Sequence, residues 1–321
     1  MQSELEFAVT WLKDKKNIVI AVVASTWGSA PRPVGSMMVI NSEGHFEGSV
    51  SGGCVEGSIV AEATALLSSP GHKVLTFAVG NDDAWQVGLA CGGTIEIHLY
   101  SLSPDAFPAI EAALHAHKTR QTGALTVSNG GESVTFTATT TTTSDPAATG
   151  TITHEFGAEC MVLPIAPNLK LVIIGAVHIA QALAPMATVC GFDVTVVDPR
   201  ELFLGERVFG DAERIHDWPD EYLAAHPLDA SSALVTLTHD PKIDEAALKA
   251  GLKSDCFYIG ALGSKKTQQS RIDRLSPYFT QEQLGRIHGP VGLSIGAKSP
   301  AEIAVSIMAE LTETRRHRDA L

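Results

Sequence analysis

Apolar residues fall into two alternating rhythms along the chain. Leu5, Val9 and Leu12 recur at helical spacing within residues 3–13 and predict an amphipathic helix, while the apolar run over 18–25 predicts a buried strand. A second strand over 37–40 meets the turn-forming Asn41-Ser42-Glu43-Gly44 and is expected to return as a hairpin over 46–50. Ile59, Ala63 and Leu66 or Leu67 line one face of a predicted helix over 55–68. Strands at 74–79 and 94–100 complete a first α/β unit, expected over residues 1–104.

From Asp105 the pattern changes to a helix ending near Lys118, followed by strands at 124–128 and 133–138 around Asn129-Gly130-Gly131, a hairpin signal. The threonine run 139–143 offers little to bury and reads as an exposed loop. Residues 105–167 are expected to be a connector carrying that hairpin. After Pro164 and Pro167, apolar strands at 169–174, 193–197, 233–237 and 256–259 alternate with helices. That alternation predicts a Rossmann-like, doubly wound parallel sheet over 168–321. A capping box, Ser299-Pro300-Ala301-Glu302, opens a last helix with Ile303, Ile307, Met308 and Leu311 as its apolar stripe.

With 321 residues the chain is long enough for two cores. Its formal net charge of −13 argues against a nucleic-acid or anionic-membrane surface, so an anionic ligand must be met by local cations. The start lacks a basic segment followed by an apolar stretch, and the early apolar run is too short to span a membrane, so a cytoplasmic protein is expected. Cys54, Cys91, Cys160, Cys190 and Cys256 are an odd, widely spaced set without a CxxC pair, which suits reduced thiols better than disulfides or a structural zinc.

Chemistry concentrates at glycine-bounded turns. Gly52 and Gly53 let the backbone bend sharply before Cys54, just where a helix begins, a setting that stabilises a thiolate able to act as a nucleophile or soft ligand; a buried small side chain is the alternative. Cys91 lies in a second such setting, Gly88 to Gly93, and the two cysteines are candidates for a shared site. Cys160, Cys190 and Cys256 sit in apolar patterns and are expected in the core. Gly28-Ser29-Ala30-Pro31-Arg32-Pro33-Val34-Gly35 combines rigid and permissive residues around Arg32, an anion-holding group in a shaped loop or a solvated arginine in a connector.

In the second unit the strand at 169–174 opens onto Gly175-Ala176-Val177-His178-Ile179-Ala180. The middle glycine of a dinucleotide fingerprint is replaced by Val177, whose side chain should obstruct the pyrophosphate and makes NAD(P) doubtful. Asp198 nevertheless stands where a carboxylate would accept ribose hydroxyls, and an NAD(P)-binding oxidoreductase is the rival reading. His178, at the helix start, is a candidate for an anionic group or a plain cap. Lys265 and Lys266 follow Gly260-Ala261-Leu262-Gly263 at another helix start, as a phosphate cradle or a solvated turn.

Taken together, these stretches and the loop from His288 to Ala297 resemble the XdhC/CoxI family of molybdenum hydroxylase accessory proteins over nearly the whole chain. The resemblance implies a cysteine-bearing amino-terminal domain, a Rossmann domain, and molybdenum cofactor bound as cargo. That cargo would be protected during sulfuration and delivered to a molybdenum hydroxylase such as xanthine dehydrogenase, with a cysteine desulfurase as a further partner and a homodimer as the assembly. On this reading Cys54, with Cys91, touches the molybdenum-sulfur centre, Cys54 as metal ligand. Gly52, Gly53, Arg32, Gly175, His178, Asp198, Lys265 and Lys266 complete the expected cofactor-binding set, and the chain is a chaperone rather than a catalyst.

Overall fold

The structure, a computed structural model, describes residues 1–28, 32–53, 55–78, 93–139, 155–157 and 160–319. It divides into two units, Met1–Pro167 and Asn168–Leu321.

In the first unit the elements run α1 (Gln2–Lys13), β1 (Ile18–Trp27), β2 (Met37–Asn41), β3 (Phe46–Gly48), α2 (Glu56–Ser68), β4 (His72–Ala78), β5 (Thr94–Leu102), α3 (Phe107–Lys118), β6 (Gly123–Ser128), β7 (Ser133–Ala138), β8 (Glu155–Phe156) and β9 (Cys160–Ile165). They form a five-stranded sheet in the order β3-β2-β1-β5-β4 and a four-stranded sheet in the order β7-β6-β9-β8, both antiparallel. The unbroken apolar run of β1 follows from burial on both faces. Val19, Ala21 and Val23 pack with Ile59 and Ala63 of α2, whereas Ile18, Ile20 and Val22 pack with Leu5 and Leu12 of α1 and with the second sheet.

That second core corrects the domain expectation. Residues 105–167 are not a connector: Ile110, Leu125, Val127, Met161, Leu163 and Ile165 are buried in one cluster with α1 and β1. The alternation of β6, buried at every second position, hides one face against α3 and could not exist in a free linker. The turn between β6 and β7 is a short 3-10 segment at Asn129–Gly131. Most of the threonine run lies outside the described residues.

The second unit comprises β10 (Leu169–Ile174), α4 (His178–Val189), β11 (Phe192–Val197), α5 (Glu201–Glu206), β12 (Glu213–Ile215), α6 (Pro219–Ala225), β13 (Ser232–Thr236), α7 (Pro241–Leu252), β14 (Tyr258–Ala261), α8 (Lys265–Leu275), α9 (Gln281–Gly285), β15 (Ile287–His288) and α10 (Pro300–Asp319). Its six strands are parallel, in the order β12-β11-β10-β13-β14-β15, the doubly wound Rossmann arrangement. Leu171 and Ile173 face a core with α4 and α10; Val172 and Ile174 face one with α6 and α7. The strand order reverses between β10 and β13, which opens a crevice at their carboxyl ends.

Two of the three cysteines expected in the core do not lie deep in it. Cys256 is buried, and burial pushes its thiol pKa up, but Cys160 is half-buried and Cys190, at the end of α4, is exposed. Cys190 follows the last helical turn, where the apolar stripe has already ended.

Candidate functional site

Strand register decides which strand ends of the first unit lie side by side. Val22 pairs with Met37, Met38 with Gly48, Trp27 with Thr94, and Ala78 with Thr94. The end of β1, the start of β2, the end of β3, the end of β4 and the start of β5 therefore stand at one end of the five-stranded sheet. Three of the segments singled out above leave from that end: the one carrying Arg32, the one carrying Gly52 and Gly53, and the one joining Ala78 to Gly93. Cys54 and Cys91 themselves lie outside the described residues. Arg32 is exposed, and so is Trp27, a large apolar side chain that is 75% accessible at the tip of a strand buried from Ile18 to Val23.

The turn around Cys54 is built on Glu56, which periodicity alone did not mark as functional. Its side chain is 8% exposed. Oε1 accepts from the Ser49 hydroxyl at 2.7 Å and the Ser51 amide at 3.0 Å; Oε2 accepts from the Gly53 amide at 2.9 Å, the Val55 amide at 3.2 Å and the Ser51 hydroxyl. Ser49 Oγ also accepts from the Gly52 amide at 2.9 Å, and Ser51 Oγ from the Val55 amide at 3.0 Å. Burial by itself raises the pKa of Glu56, but the Ser51 and Ser49 hydroxyls and the Ser51 and Gly53 amides outweigh it and hold the carboxyl down at about 2. The turn needs its glycines, since Gly52 and Gly53 have φ of 77° and 110°. The amides of Ser51, Gly53 and Val55 are thus directed at this carboxylate. The signal available in the sequence was the spacing of Ser49 and Ser51 before a glutamate at the first helical position.

In the second unit Gly175, at φ 111°, lets β10 turn tightly against the segment after β13, where an added Cβ would stand 2.7 Å from Thr238 Cγ2. Its amide donates to Val197 O at 2.9 Å, the Ala176 amide to Asp198 Oδ2 at 2.7 Å, and the Val177 amide to Gly175 O at 2.9 Å. Asp198 is fully buried. Besides Ala176 it accepts from Arg200 through the amide (2.9 Å) and Nε (2.8 Å) at Oδ1 and through Nη2 (2.7 Å) at Oδ2. Burial raises its pKa, yet Arg200 and these amides more than offset that and keep the carboxyl below its usual range. Asp198, expected to receive ribose hydroxyls, already holds four donors on its two oxygens.

His178 is the exposed first residue of α4, whose preceding Val177 makes no side-chain cap. Lys265 and Lys266 are exposed in the first turn of α8, and Ser264 caps that helix by accepting from the Thr267 amide at 3.1 Å. Another cluster, which the sequence pattern did not reveal, lies under α10, where Glu310 accepts from the Tyr258 hydroxyl at 2.5 Å and the Gly292 amide at 2.8 Å, and sits 3.3 Å from His288 Nδ1. Among the described residues no group of three or more His, Cys, Asp or Glu side chains is arranged to hold a metal ion, and no helix is long and apolar enough to cross a membrane.

Comparison with known proteins agrees with this architecture. The chain is 29% identical over 317 residues to the molybdenum cofactor insertion chaperone PaoD of Escherichia coli (strain K12), covering 98% of this chain and 89% of that one. It is 26% identical over 322 residues to a protein of Bacillus subtilis (strain 168) named as a probable xanthine dehydrogenase subunit, covering 95% of each. A crystal structure described as a xanthine dehydrogenase from Bacillus halodurans has the same fold, with a TM-score of 0.74 at 24% identity over 98% of this chain and 96% of that one. Residues 11–78 match the XdhC and CoxI family and residues 171–311 match the XdhC Rossmann domain. With both units so matched, the chain belongs to the XdhC/CoxI family.

Proposed function

We propose that this protein carries molybdenum cofactor as cargo, shields it during sulfuration and delivers it to a molybdenum hydroxylase of the xanthine dehydrogenase type. The observation that carries this reading is that the strand ends flanking the Arg32, Gly52-Gly53 and Ala78–Gly93 segments stand together at one sheet end, beside a turn made rigid by Glu56. The cargo presents a soft, sulfur-bound metal and anionic groups. In this reading Cys54, with Cys91, meets the metal-sulfur end, and Arg32 supplies a charge for an anionic group at the same sheet end. Lys265, Lys266 and His178 offer exposed basic side chains on the second unit. The names borne by the relatives support the cargo and the partner class. A cysteine desulfurase as sulfur donor, a homodimeric assembly and a cytoplasmic setting belong to the same proposal.

The test is binding of sulfurated molybdenum cofactor to anaerobically purified protein. Saturable binding to the wild type, weakened at least ~10-fold in Cys54→Ser, is expected for a lost metal contact. Unchanged binding and unchanged activation of the target hydroxylase by Cys54→Ser would remove the cysteine from the site.

A further inference from the structure

We propose that the Rossmann unit is closed to dinucleotides by its own side chains, and that Arg200 is the specificity-determining residue that closes it. In a sheet of this strand order a ligand lies beyond the carboxyl ends of the strands at the reversal point, here between β10 and β13. A dinucleotide asks three things of the chain there: room and amides at the glycine turn for the pyrophosphate, no side chain at the second glycine, and a carboxylate after the next strand for the ribose.

Each requirement is met by something internal instead. The amides of Gly175, Ala176 and Val177 all end on protein oxygens, at 2.9, 2.7 and 2.9 Å. The second glycine position carries the half-buried Val177. The ribose-facing carboxylate, Asp198, is filled: a carboxylate offers about four lone-pair sites, and Arg200 alone supplies three donors to them.

The spacing explains how one arginine does this. In Asp198-Pro199-Arg200 the amide and Nε of Arg200 both return to Oδ1, while Nη2 reaches Oδ2, so the guanidinium fork lies flat along the carboxylate. The fork is held from outside as well, with its central carbon 4.3 Å from the ring centroid of Phe203. Arg207 lies 4.6 Å from the same centroid and donates to the Ala176 carbonyl, which fixes the turn from its other side. A ribose would have to displace a bidentate ion pair whose carboxylate has no exposure to water, so the exclusion comes from occupancy as well as from the bulk of Val177. This inference does not rest on the molybdenum reading: if the chain bound no molybdenum cofactor, the crevice would be closed all the same.

The experiment is a fluorescence titration of the full chain with NADH and with NADPH, comparing the wild type with Val177→Gly, Arg200→Ala and the double variant. The wild type is expected to bind neither saturably, and the double variant to bind one of them at least ~10-fold more tightly than Val177→Gly does, a difference of about 1.4 kcal/mol. Saturable binding by the wild type overturns the proposal without reference to any variant. So does a double variant that keeps the wild-type circular dichroism and binds no better than Val177→Gly. Should Arg200→Ala fail to fold, Arg200→Gln in the same background keeps a neutral donor near Asp198 and gives the same readout.

Discussion

Each unit holds a glycine turn at the end of a sheet with a buried carboxylate, and the two carboxylates work in opposite senses. Glu56 draws its donors from the turn itself: two serine hydroxyls and three amides, none more than seven residues away. That knot fixes the backbone from inside, and a Cβ added at Gly53 would meet nothing within 4 Å among the described residues. Asp198 reaches its turn from the next strand, 22 residues beyond Ala176, and is itself clasped by Arg200. There the glycine is walled in, with Thr238 where a side chain would go. The lesson is that a glycine turn and an acid in the expected place do not make a binding site; what matters is whether the acid's lone pairs are spent on the turn's own backbone or on a competing cation.

Removing each carboxylate is the strongest way to break this comparison. Asp198→Ala leaves Arg200 without its partner and the Ala176 amide unpaired, and is expected to lower stability by about 3 kcal/mol, the low end for a broken buried pair because Arg200 itself reaches solvent. Glu56→Gln, which keeps one carbonyl acceptor but loses the charge, should cost about 2 kcal/mol. Both are read by urea unfolding. If Asp198→Ala is neutral, Arg200 is a surface side chain and the crevice is not shut. Acid supplies the same test for Glu56: with a folded pKa near 2 against an ordinary 4.5, its contribution is whole above pH 4.5 and is lost as pH falls toward 2. The wild type should lose more stability than Glu56→Gln over that window.

Much of the second unit was legible because parallel strands buried on both faces leave continuous apolar runs, and the Gly175 turn sits where such a run must end. The role of Asp198 was not, because its occupation depends on the direction in which Arg200 folds back, which strand pattern does not encode. In the first unit the hydrophobic pattern gave the strands but not their partnership. Leu125, Val127, Leu163 and Ile165 alternate like any half-buried sheet, and nothing local says that they share a core with Leu5 and Leu12 of α1, over a hundred residues earlier. Glycines marked the turn at Cys54, while the residue that organises it, Glu56, was masked by reading it as the start of a helix. That the strand ends flanking three segments share one sheet end was equally hidden, since register sets it and sequence distance does not.

Alanine substitutions at the glycines sharpen the contrast with a smaller effect. Gly175→Ala puts a methyl group into Thr238 at a φ of 111° and is expected to cost about 2 kcal/mol, whereas Gly53→Ala has a similar φ of 110° but meets no neighbour among the described residues, and should cost about 1 kcal/mol. Thermal unfolding of the two variants side by side checks the order. Equal losses would mean that backbone strain alone matters and that the wall around Gly175 gives way.

Mild acid probes the smallest effect and separates the carboxylates from other titrating groups. Glu56 and Asp198 both have depressed pKa values, so neither changes charge between pH 7 and 5. The first unit has a different sensor in that range. His72 Nε2 lies 3.0 Å from His98 Nδ1, and His98 Nε2 lies 3.0 Å from Glu96 Oε1, with Tyr100 and Phe156 packed against the rings. Only one proton fits between the two facing ring nitrogens. Burial, and then the neighbouring His98, lower the pKa of His72, so the folded protein favours its neutral form more than the unfolded chain does. The stability this provides is whole above pH 6.5 and declines as pH falls below it. A modest drop in the urea midpoint from pH 7 to pH 5 is therefore expected in the wild type and a smaller one in His72→Gln. An equal drop in both would assign the acid sensitivity to groups other than His72 and the two carboxylates, neither of which changes charge in that range.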